Sequence, residues 1–78
     1  MGVRCMSELK ETIARVLRVK RAEANMTQED LAIKSGVSID SIRCYERQMS
    51  LPLLETAYKL AEALGCTVND LCGFTKEV

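Results

Sequence analysis

Helix breakers set the frame for this chain. Asn25, Gly36, Pro52 and Gly65 divide its 78 residues into segments of helical length. A helix-starting residue stands at or just beyond each break. Thr27 has Asp30 three residues on, and Thr67 with Asp70 repeats the pattern. A hydroxyl and an acid at that spacing satisfy the first backbone N–H groups of a helix reciprocally. Ser38 is a cap of the same kind behind Gly36. Pro52 marks the start of a further helix, where a missing N–H costs nothing. Asn25 tolerates the left-handed backbone that ends a helix.

Within the segments, apolar residues return at helical intervals. Leu9, Ile13, Val16 and Leu17 do so in the first, and Leu53 or Leu54, Ala57, Leu60, Ala61 and Leu64 in the fourth. The expectation is an all-α fold without strands, its helices covering about 9–24, 28–35, 39–47, 52–64 and 68–72. No repeat or linker divides the chain, so it reads as one domain over 9–74, with tails at 1–8 and 75–78.

Composition narrows the function. The aromatics are Tyr45, Tyr58 and Phe74, and small aliphatic residues dominate, which suits close helix packing. Cys5, Cys44, Cys66 and Cys72 form no CxxC pair and histidine is absent, so zinc fingers and Cys-His nucleophilic sites find no support. No constellation of catalytic residues is present. Neither metal, cofactor nor small-molecule ligand is expected. No apolar run approaches a membrane span, and the chain reads as a soluble, cytoplasmic protein with reduced thiols. Eleven basic residues balance eleven acidic ones. The basic surplus lies in the first fifty residues, nine against seven, and is a weak hint of an anionic partner.

Residues 28–47 have the logic of a helix-turn-helix. Ala32 is small where two helices cross, Gly36 permits the turn, and Val37 and Ile42 plug the angle that Tyr45 closes. Such a turn holds the second helix proud of the body, free to enter a DNA major groove. In "TQEDLAIKSGVS", "IRCYER", the Pro52 of "LPLLET" and "KLAEALGCTVNDL", the chain resembles the phage repressor and Cro-type (XRE-like) family of helix-turn-helix regulators. The resemblance spans about 9–74. It implies a compact five-helix lambda-repressor-like domain and transcriptional control through double-stranded DNA.

It also implies roles for residues. Gln28 would touch the DNA backbone or an outer base. Ile39, Asp40, Ser41 and Cys44 would face base edges; Thr27, Arg43 and Arg47 would meet the backbone, and Ser38 heads the same set. Arg21 would pair with Glu46 of the "YE" step. Departures from the family pattern are Cys44 in place of a basic or amide residue, "QMS" in place of glycine and basic residues, and Leu53 in place of a serine cap. Asp40 accepts from cytosine or simply stabilises a helix N-terminus, the latter being favoured. Cys44 is an inert thiol by default, though its oxidation would block a groove.

Met26, Met49, Leu51, Leu53, Leu71, Cys72 and Phe74 are more apolar surface than so small a core hides, and part of it is expected to form a partner surface. A two-fold homodimer through Leu53, Leu71, Cys72 and Phe74 would place two reading helices on a palindromic operator, and the expected role is that of a sequence-specific repressor. The competing expectation is a protein-interaction module, such as an antitoxin or regulatory partner, on the same fold with weak DNA binding.

Overall fold

The computed structural model describes residues 6–73. They form α1 (Met6–Glu23), α2 (Gln28–Ser35), α3 (Ile39–Glu46), α4 (Leu54–Leu64) and α5 (Val68–Cys72), and among the described residues there is no strand. Met6, Ser7 and Glu8, expected in a tail, are helical, with Glu8 placed in the first turn where its charge suits the dipole.

The caps explain where helices begin. At α2 the Thr27 hydroxyl oxygen accepts from the Asp30 N–H and the Asp30 carboxylate accepts from the Thr27 N–H, each at 3.0 Å. Thr67 and Asp70 do the same for α5, at 3.1 Å both ways. Ser38 heads α3 and accepts from the Ser41 N–H. Helix ends obey one rule as well: a residue in the left-handed region closes α1 (Asn25, φ 57°), α2 (Gly36, φ 78°) and α4 (Gly65, φ 74°). After α3 that place falls to Gln48, at φ 64°. There the Met49 N–H reaches back to the Cys44 carbonyl at 2.9 Å, and the Gln48 N–H to that of Tyr45 at 3.1 Å. The pattern is a Schellman closure without its customary glycine.

α1 packs on α3 and α5, α2 on α3 and α4, and α4 on α5. Leu17, Leu31, Ile42, Leu60 and Leu71 are the largest fully buried side chains, one from each helix. Val37 and Tyr45 are buried beside Ile42, as the plugged angle requires, and Ala14 and Ala63 let neighbouring backbones approach.

The start of α4 differs from expectation. Pro52 lies outside the helix and Leu53 is its cap, with no side-chain hydrogen bond. Leu53 and Leu54 are 75% and 76% exposed, so neither belongs to the inner stripe. Its first turn has no covering element there, and Leu51, on the extended stretch ahead of the helix, packs against the core instead. Ile33 in α2 is likewise exposed.

Candidate nucleic-acid interface

A two-helix motif reads DNA only if its second helix is held by one side and bare on the other. In α3, Ile42, Tyr45 and Glu46 face inward. Asp40, Arg43 and Arg47 are exposed, and Ile39, Ser41 and Cys44 are half-buried along the margins. Every reading residue expected on α3 therefore reaches the surface, on the side away from the core. Gly36 and Ser38 produce this arrangement, the one reversing the chain after α2 and the other starting α3 at once.

The outer row is partly engaged with itself. The Ser38 hydroxyl donates to the Ser41 hydroxyl at 3.0 Å. Arg43 Nη1 stands 3.8 Å from Asp40 Oδ1, one turn away, and Asp40 is 90% exposed. That contact is a loose surface pair, of little worth to stability. Arg47 is the C-cap of α3, its backbone N–H going to the carbonyls of Arg43 and Tyr45. Cys44 is a free thiol.

The inner attachment is more elaborate than expected. Arg21 Nε donates to Glu46 Oε2 at 2.8 Å and Arg21 Nη2 to Glu46 Oε1 at 2.9 Å, a two-pronged pair. The Glu46 side chain is only 5% exposed. Arg21 Nη1 also donates to the Met26 carbonyl at 3.1 Å. Two partners were not anticipated: Arg18 Nη1 donates to the Glu46 carbonyl at 3.0 Å, and Gln28 Nε2 donates to Glu46 Oε1 at 3.1 Å. Arg18 precedes Arg21 by one helical turn, which was the available signal. Gln28 is eighteen residues from Glu46, and no local pattern reveals such a tie. Thr27 remains at the surface beside it.

The surface expected to hold a partner also takes shape differently. Leu71 is 1% exposed and sits in the core against α1, so it has almost no surface to offer. Cys72 is half-buried and Leu53 exposed; Phe74 lies outside the described residues. Leu54 and Tyr58 join them on the outside of α4. A groove of about 240 Å³ runs beside Leu54, lined also by Leu51, Pro52, Val68 and Cys72.

Two ionisable groups near α5 depart from their ordinary behaviour. The Thr67 backbone N–H, then its hydroxyl, hold the Asp70 carboxyl below its ordinary value of 3.8. Burial pushes the Cys66 thiol up, with Lys20 acting in the opposite sense.

Five helices packed in this order, with a turn of this build between α2 and α3, define a helix-turn-helix domain. Residues 13–71 match the HTH_3 helix-turn-helix family, and the chain belongs to it. The family is one of helix-turn-helix domains, and the relatives that this chain resembles are transcriptional regulators. It is similar to the cryptic phage CTXphi transcriptional repressor RstR of Vibrio cholerae, 35% identical over 66 residues. The match takes in 85% of this chain and 55% of that protein, so the chain spans about half the length of this relative. An HTH-type transcriptional regulator of Methanocaldococcus jannaschii is 42% identical over 55 residues, 70% of this chain and 83% of that one. The crystal structure of the hypothetical transcription factor NHTF from Neisseria superposes with a TM-score of 0.79 at 25% identity, covering 92% of this chain and 83% of that one. An HTH_3 family transcriptional regulator from Vibrio cholerae superposes at 0.80 and 25% identity, covering 86% and 38%. Among the described residues, no helix is long and apolar enough to cross a membrane.

Proposed function

We propose that this chain is a sequence-specific transcriptional repressor that works in the cytoplasm as a homodimer on a palindromic operator. The observation that carries the reading is the division of α3 into a fully anchored inner side and a mixed, exposed outer side. DNA offers phosphates at the groove rim and donors, acceptors and methyl groups inside, which such a mixture suits. Arg43, Arg47 and Thr27 are the backbone contacts; Ile39, Ser41 and Cys44 face base edges, with Asp40 at the head of the helix. The similarity to a phage repressor supports repression.

One reading helix touches about four base pairs, too few to select a genomic site, and two copies on half-sites about 34 Å apart double the readout. Leu53, Leu54, Tyr58 and Cys72 supply the apolar surface for the second copy. A second reading, a protein-interaction module on the same fold, draws support from the Asp40–Arg43 pairing, which neutralises part of the reading face. Titration of the protein with random-sequence and selected duplexes at several salt concentrations tests both. A steep loss of binding with salt and one preferred sequence support the repressor; no binding even at low salt supports the module.

A further inference from the structure

We infer that Glu46 is a positioning residue for DNA contact through Gln28, in addition to its part in bracing the fold. The inference rests on the DNA-binding reading above. Its ground is the carboxylate's third partner. A glutamine amide has two chemically distinct ends that exchange by a half-turn of the side chain, one donating and one accepting. An ionised carboxylate accepts only, so the end of Gln28 that meets Glu46 Oε1 at 3.1 Å is the NH2 group. Arg21 fixes that carboxylate with two hydrogen bonds, and the Glu46 side chain is 5% exposed, so the anchor itself has little freedom. Gln28 is thereby held in one sense at the first position of α2, half-buried, with one amide N–H and the carbonyl oxygen left over.

That position matters for a phosphate. Thr27 and Asp30 satisfy one another at the head of α2, and Glu29 and Asp30 in its first turn offset the partial positive charge of the helix start, so a neutral donor is what this position offers. A phosphodiester seated there accepts hydrogen bonds and gives none. An amide already turned by Glu46 keeps an N–H in reserve for it and loses no rotational freedom on contact. The ligand chemistry is the uncharged-donor side of a backbone phosphate contact, alongside the ionic contacts of Arg43 and Arg47.

The test is a double-mutant cycle in DNA binding with Gln28→Ala and Glu46→Asp. Aspartate keeps the charge for Arg21 but draws it back from Gln28. Each single change weakens binding roughly fivefold, the worth of one hydrogen bond from an uncharged donor, and the double change weakens it no more than Gln28→Ala alone. Because Gln28 is uncharged, its removal leaves the salt slope unaltered, whereas Arg43→Ala reduces it. Losses that multiply in the double variant overturn the inference. A second measurement uses the free protein and does not depend on DNA: the Gln28 side-chain amide resonances stand apart from those of a solvated glutamine in the wild type and move toward them in Glu46→Asp. Identical resonances in both overturn it as well. Shifted resonances in a protein that binds no DNA would locate the failure in the DNA reading and not in the anchor.

Discussion

Arg43 and Arg47 are exposed cations on the outer side of α3, and they carry different consequences from their neighbours. Arg43→Ala is expected to weaken binding to all sequences alike and to reduce the salt slope by about one, measured by titration across salt concentrations. Changing Ser41 or Ile39 should instead alter which sequence is preferred. Gln48 is a residue of another kind. It occupies the left-handed region without glycine's freedom, a conformation costing an ordinary residue about 1–2 kcal/mol. Gln48→Gly should stabilise the domain by roughly 0.5 to 1 kcal/mol after glycine's larger unfolded-state entropy is subtracted, read as a higher urea midpoint. Gly36→Ala reverses that logic: nothing lies within 4 Å of an added Cβ, so backbone strain alone makes it destabilising. The need for a left-handed residue at Asn25, Gly36 and Gly65 was legible because side-chain type announces it. At Gln48 the sequence showed only a missing glycine, and the closure formed regardless.

Among the elements, α3 depends most on a distant one. Breaking the Arg21–Glu46 pair strands a buried carboxylate, and Arg21→Ala should cost about 3 kcal/mol in chemical denaturation, with DNA binding lost in proportion to unfolding. α5 is short and leans on its cap. Because the folded Asp70 carboxyl titrates below 3.8, the folded chain binds fewer protons there than the unfolded one. The resulting stability is complete above the ordinary carboxylate range and lost as pH falls through the lowered value. The wild type's advantage over Asp70→Asn should therefore shrink as pH is taken below about 4, in paired urea titrations. Caps, helix ends and the plugged turn could be foreseen, since each is written within a few residues. The start of α4 could not. Extending the Ala57, Leu60 and Ala61 stripe backward puts Leu53 or Leu54 inside, but whether a first turn is covered depends on which neighbour passes over it. Similarly, the Arg21–Glu46 pair was legible through the family pattern, while the Gln28 and Arg18 ties needed three dimensions.

At the scale of the whole molecule, the apolar outside of α4 is the feature the fold leaves uncovered. Leu54→Glu and Tyr58→Lys change residues that are already exposed, so each should leave the folded monomer intact. Sedimentation at micromolar concentration should show a dimer for the wild type and a monomer for these variants, with cooperative operator binding lost; a monomeric wild type, with or without DNA, excludes the dimer. The division of α3 has a consequence for inheritance. Its main attachments to the body leave from Ile42, Tyr45 and Glu46, so the remaining outward positions carry less of the duty of keeping the domain folded. They form a cartridge that can be exchanged while the socket stays fixed. On the DNA-binding proposal, descendants of one ancestor would drift to new targets through a handful of substitutions at Ile39, Asp40, Ser41, Arg43 and Cys44. Transplanting those five side chains from a relative should carry that relative's address with them.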